Sequence, residues 1–224
     1  MLFRSAFTPF AGSNANLENP CVVASNDGVT WVVPTGLTNP VFSAPTVGYY
    51  ADVLLLHKWD TNELYLYWCH FGDGASKGYY SKSSNGITWT ARVQTSHFFS
   101  GTGISYLAPN LFVAQNKGNS PYAHSISGGA GSWITYTSVD GINFVELYQT
   151  LDNFPTAHWH PSVQRLSDGY HYISSVSNQS ETPRNTNLAL YYGYSPDGQN
   201  IMFDSTPLMR SEEHTSELQS LSHL

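Results

Sequence analysis

One turn, Ser-x-Asp/Asn-Gly, occurs four times at nearly constant spacing. It reads S-N-D-G-V-T-W from Ser25, S-S-N-G-I-T-W from Ser83, S-V-D-G-I-N-F from Ser138 and S-P-D-G-Q-N-I from Ser195, at intervals of 58, 55 and 57 residues. A fixed period of this size marks a repeat fold in which each unit is one supersecondary element. Aromatic and β-branched runs (G-Y-Y-S-K, W-I-T-Y-T, L-A-L-Y-Y-G-Y) precede three of the turns, and Trp31, Trp89 or Phe144 follows in three. Asp/Asn-Gly tolerates positive φ and closes tight hairpins, so each copy reads as strand, turn, strand.

A second repeat keeps phase with the first. Asp52-Val53, Ala108-Pro109 and His160-Pro161 precede the next turn by 31, 30 and 35 residues, enough for two more strands and a long loop. The expected unit is therefore a four-stranded antiparallel meander with strands A to D, the blade of an all-β propeller. Blades are expected over residues 52–94, 108–149 and 160–204. Only six residues separate Asn19-Pro20 from Ser25, so the N-terminal segment is expected to hold strands C and D without A and B. Residues 210–220 read R-S-E-E-H-T-S-E-L-Q-S, which matches the translation of a common sequencing-library adapter. Residues 210–224 are accordingly expected to be a non-biological tail, and residues 1–209 an incomplete propeller domain of about three and a half blades.

The chain carries a net charge of −7; the tail holds one Arg against three Glu, leaving −5 for the rest. With eight Lys and Arg there and no basic stripe, nucleic acid and anionic membrane are not expected partners. No run approaches the ~20 apolar residues of a membrane span. The start, M-L-F-R-S-A-F-T-P-F, lacks an apolar core of signal-peptide length. Cys21 and Cys69 lie on apolar strands and read as buried free thiols. Sparse charge with abundant Tyr, Trp and Phe suits a carbohydrate partner.

In such meanders the A–B and C–D turns share one face and the longer loops share the other, where the A strands begin. Long loops on a rigid scaffold usually carry the site. Asp52 opens an A strand in Y-Y-A-D-V-L-L-L and suits a general base, with Tyr49 and Tyr50 as a sugar platform; the plain structural role is a carboxylate capping a loop. Glu18, in L-E-N-P, is the second candidate acid, with a blade-internal contact as its plain role. His158, Trp159 and His160 open another A strand as candidate substrate contacts. H-x-H alone is a weak metal signal, so neither a metal nor another cofactor is expected. Asp27, Asp140, Asp168 and Asp197 sit in turns where bonding to their own backbone explains them. Sialidase chemistry is disfavoured, since the 209-residue part holds only Arg4, Arg92, Arg165 and Arg184 for a substrate carboxylate.

The run E-N-P-C-V-V-A-S-N-D-G-V-T-W-V-V-P-T-G-L-T-N-P-V, with Y-Y-A-D-V-L-L-L and W-H-P-S-V, resembles five-bladed propellers related to the family 43 glycoside hydrolases, many of them phage or bacterial. The resemblance covers most of residues 17–204. It implies five blades in the complete fold, a poly- or oligosaccharide substrate, three acids around the channel mouth with Asp52 at the inner-strand position, and a virion-associated or extracellular setting. The chain departs from that pattern at Ala108-Pro109 and at Ser162, where acids would stand. The alternative is a non-catalytic glycan-binding propeller of a phage tail or cell-surface assembly.

Overall fold

The structure is a computed structural model that describes residues 3–9, 12, 14–72, 76–97, 104–117, 132–152, 158–176 and 189–210. Much of the expected long loops, with the acidic residues Asp73 and Glu181 in them, lies outside these residues.

Strands follow the turn repeat. In the second blade β3 (Tyr49–Lys58), β4 (Glu63–Phe71), β5 (Lys77–Ser83) and β6 (Val93–Gln94) pair in that order, all antiparallel. The third blade holds β7 (Ile104–Ala108), β8 (Leu111–Lys117), β9 (Ser132–Ser138) and β10 (Val145–Asp152). The fourth holds β11 (His158–Leu166), β12 (Gly169–Val176), β13 (Ala189–Ser195) and β14 (Asn200–Phe203), each again in meander order. Each holds the four expected strands, with two corrections: β7 ends at Ala108, so Ala108-Pro109 stands at the turn into β8 and not at the start of the third A strand, and β10 pairs in parallel with β14 (Leu151 with Asn200, Asp152 with Ile201). β15 (Met209–Arg210) adds to β13, so Arg210, the first residue of the expected tail, pairs with Ala189.

The N-terminal segment differs from expectation. β1 (Phe3–Phe7) runs antiparallel to β2 (Cys21–Ser25), with Ala6 opposite Val22, so a strand does stand beside β2 on the side away from the Asp-Gly turn's return. The return itself is one bridge, Ala24 to Val32. Continuing that register would set Pro34 against Val22, and proline has no N–H to give. The Asn39 side chain takes the vacant place: its Oδ1 accepts from the Val22 N–H at 3.0 Å and its Nδ2 donates to the Val22 carbonyl at 2.9 Å.

Two compact units divide the chain. One comprises residues 1–100, 106–113 and 137–145; the other comprises 101–105, 114–136 and 146–224. In the first, Val22, Tyr50, Leu66 and Trp68 are buried together, with Ala6, Phe42, Leu55, Tyr79 and Trp89 packed around them. The opposite face of the second blade stacks Tyr65 on Phe112 at 5.5 Å, and Tyr67 donates its hydroxyl to the Gly141 carbonyl at 2.9 Å. In the second unit Tyr172, Ile201 and Phe203 are buried together, flanked by Val163, Tyr170 and Tyr191. Phe144 is buried, whereas Trp31 is 41% exposed. Cys21 and Cys69 are free and buried. No helix among the described residues is long and apolar enough to cross a membrane.

Candidate functional site

The site is built where β3 begins. Tyr49 and Tyr50 are consecutive strand residues, so their side chains take opposite faces. Tyr49 is half-buried and stacks on Phe71, its cross-strand partner, at 5.3 Å. Tyr50 is fully buried, with its ring edge-on to Trp68 at 6.0 Å and to His70 at 5.5 Å. The Arg92 guanidinium donates to the Tyr50 hydroxyl and lies 4.9 Å above the Tyr79 ring. Tyr50 is thus a wall beneath the site, and Tyr49 is the one of the pair with an exposed surface.

The segment leading into β3 is pinned to the end of β4. His70 Nε2 bonds the Val47 carbonyl at 2.8 Å, a contact in which the ring nitrogen is the donor. Gly48 and Gly72 touch backbone to backbone at positive φ, and a Cβ at Gly48 would collide with the Phe71 carbonyl oxygen.

Past this anchor the β3–β4 ladder slips. Ala51 pairs with Cys69 and Leu54 with Tyr67, so Asp52 and Val53 together oppose Trp68. This is a bulge, the device that re-aims a side chain at a strand end. Asp52 adopts φ 53°, a left-handed conformation that Asp tolerates better than most residues.

Glu18 reaches the same place from another element. A single 3-10 turn, Ala15–Leu17, packs against β3, and the Glu18 N–H closes it by donating to the Ala15 carbonyl at 3.0 Å. Past Glu18, the Val41 N–H holds the Pro20 carbonyl at 2.8 Å. Burial, and then the negative charge of Asp52, push the Glu18 carboxyl up to about 7. Burial raises the Tyr49 hydroxyl too, helped by the charges of Glu18 and Asp52. Glu18, Tyr49 and Asp52 therefore form one electrostatic cluster.

His158, Trp159 and His160 are the first residues of β11, where the ladder shifts between Trp159 and Pro161 and leaves His160 as the extra residue. The second and fourth blades thus each bear a bulge near the start of the A strand, at Asp52 and at His160. The side chains of residues 158–162 lie outside the described ones. Among the described residues no group of three or more His, Cys, Asp or Glu could hold a metal ion. Sequence reasoning missed Arg92, His70 and Asn39 as supports. Asn39 had a signal, because Pro34 prevents the returning strand from continuing; Arg92 had none.

The fold is a β-propeller of four-stranded antiparallel blades, shared with the propeller glycoside hydrolases. No family model matches the chain. Over 66 residues it is 35% identical to the A type blood N-acetyl-α-D-galactosamine deacetylase of Flavonifractor plautii, a stretch covering 29% of this chain and 8% of that protein. A crystal structure of an N-acetylgalactosamine deacetylase from F. plautii, in complex with blood group B trisaccharide, matches 92% of this chain and 66% of that one, with TM-score 0.74 and 22% identity. The Bacillus subtilis arabinanase matches with TM-score 0.57 and 12% identity over 88% of this chain and 69% of that one. A GH43_12 protein from capybara gut metagenome gives 0.62 and 7% over 92% and 39%.

Proposed function

We propose that the chain carries the acid–base pair of a carbohydrate-hydrolysing propeller, with Glu18 as general acid, Asp52 as general base and Tyr49 as a platform for a sugar ring. The observation that carries this reading is the Glu18 carboxyl, raised to about 7 by enclosure and by Asp52 beside it. Two neighbouring carboxyl groups with one kept protonated near neutral pH can supply a proton and accept one in the same reaction. His158, Trp159 and His160 are the proposed contacts from the fourth blade.

The likeness to the F. plautii deacetylase in both sequence and structure favours an N-acetylated amino sugar as substrate. Asp52 would take a proton from water as its oxygen bonds to the acetamide carbon. The C–N bond then breaks with proton delivery from Glu18 to the nitrogen, releasing acetate and a free amine. The second reading, cleavage of a glycosidic bond, is supported by the glycoside hydrolase neighbours and uses the same two carboxyls at the anomeric carbon. Five blades and a virion or cell-surface setting belong to this proposal as well, as does the tail assignment for residues 210–224.

The test is incubation with an oligosaccharide ending in N-acetylgalactosamine, assaying acetate and new reducing ends separately. Acetate release supports the first reading and new reducing ends support the second. Glu18→Gln and Asp52→Asn are each expected to lower turnover about 10²–10⁴-fold with binding retained. Binding without release of either product would replace both readings with a non-catalytic glycan-binding propeller.

A further inference from the structure

A recess lies at the other end of β3, about five residues, roughly 16 Å, along the strand from Asp52. It encloses about 500 Å³. Its apolar floor is Leu55 and Leu64, and its polar lining includes Arg4, His57, Asn62 and Ser84. None of its described lining residues is acidic, in a chain whose net charge is −7. The acids nearest in sequence are already engaged: Asp60 pairs with Lys58 at 2.6 Å and Glu63 with Lys82 at 2.8 Å.

Arg4 is the cation of the recess. Its Nη2 donates to the Asn85 carbonyl at 2.7 Å, while its buried Nε finds no partner among the described residues. Gly86 supplies the room in which the guanidinium sits, since a Cβ there would collide with it. One bond therefore fixes the guanidinium fork and leaves donors over. His57 Nε2 is held by Asn62 Oδ1 at 3.0 Å, which orients the Asn62 amide group. A half-buried guanidinium with spare donors takes a carboxylate well, because its planar fork matches the two oxygens. Around it, an amide, an imidazole and a hydroxyl over a leucine floor present the mixture that a ring with several hydroxyls requires.

We propose that this recess, on the face opposite Glu18 and Asp52, binds a saccharide unit bearing a carboxylate, a sugar acid, with Arg4 on the carboxylate and Asn62, His57 and Ser84 on ring hydroxyls. The proposal stands independently of what the Glu18–Asp52 pair does. It is a recognition site and involves no bond-breaking.

Calorimetric titration of the full chain with D-glucuronate, D-glucose and inorganic phosphate tests it. Glucuronate is expected to bind, with glucose at least about tenfold weaker for want of the charge-assisted contact and phosphate at least about tenfold weaker for want of the ring hydroxyl contacts. Arg4→Met is expected to cost at least about tenfold in glucuronate affinity, and Arg4→Lys, which keeps the charge without the fork, several-fold. Should Arg4→Met unfold the chain, Ser84→Phe provides the second arm: it fills the recess from an exposed turn position and is expected to abolish binding at unchanged melting temperature. Glu18→Gln is expected to leave glucuronate affinity as it is. Equal binding of glucose, equal binding of phosphate, no binding of glucuronate, indifference to Ser84→Phe, or loss on Glu18→Gln would each overturn the assignment.

Discussion

Glu18 is the residue whose chemistry depends most on where the chain places it. A free glutamate titrates near 4.5, and here burial and Asp52 carry it to about 7. Because the folded state holds its proton more tightly than the unfolded chain, Glu18 favours folding fully below pH 4.5. That contribution is lost as pH rises through about 7. The expected outcome is a fall in stability between those limits that Glu18→Gln removes, measured by denaturant melts across pH. Asp52→Asn should move the Glu18 midpoint down only part of the way, since burial is the larger cause; carboxyl NMR titration reads this directly. If the pair is catalytic, turnover should decline above about pH 7 as the acid loses its proton. Asp52 also carries a backbone demand. At φ 53°, Asp52→Ala is expected to cost about 1 kcal/mol more in stability than Asp52→Asn or Asp52→Gly; equal costs in chemical denaturation would refute this. Part of the candidate site was legible at this scale: a carboxylate ahead of an apolar run and a second one in L-E-N-P, which the fold brings into electrostatic contact. Reading both Tyr49 and Tyr50 as platforms ignored the strand's two-residue period, which allows only one of them to face outward. The bulge at Asp52 was not legible, because nothing local in Y-Y-A-D-V-L-L-L distinguishes a slipped ladder from a regular one.

The repeated turn explains why the blades were legible at the scale of elements. In all four copies the buried serine hydroxyl accepts from the glycine N–H, at 2.8 Å at Ser25 and Ser83 and 2.9 Å at Ser138 and Ser195. The Asp or Asn side chain accepts from the N–H two residues on, at 2.8 Å in every copy. The glycines hold φ between 73° and 79°. Every bond closes within a few residues, so the motif states its own structure. Ser83→Ala leaves a buried Gly86 N–H without its acceptor and is expected to cost about 2 kcal/mol. Ser84→Ala, one position on and outside the network, should change stability by under about 0.5 kcal/mol. Comparable losses in the two variants would show that the turn is held by other contacts. β1 was missed for the converse reason. F-R-S-A-F carries no turn or period of its own, and its pairing depends on Val22, sixteen residues past Ala6.

At the scale of the molecule, apolar side chains are distributed in two ways. One set converges between sheets, as where Trp68, Tyr50 and Val22 meet. A second set stays in solvent along the return from the first Asp-Gly turn: Val29 is 82% exposed, Val32 58% and Val33 49%, beside Trp31. Among the described residues that stretch meets β2 through one bridge; the Val29 and Thr30 N–H groups are taken by Asp27 Oδ1, and Trp31 to Val33 form the apolar edge. A consecutive apolar edge of this kind templates association between copies, and natural sheets commonly blunt such edges with lysine. The chain is therefore expected to self-associate as its concentration rises. Val33→Lys should shift that association to at least severalfold higher concentration, as read by sedimentation velocity. Position 33 lies beyond the Ala24–Val32 bridge, so the substitution should leave the melting temperature within a few degrees. A chain that stays monomeric at high concentration, or a lysine variant that associates as readily, would assign these valines to ordinary scattered surface exposure.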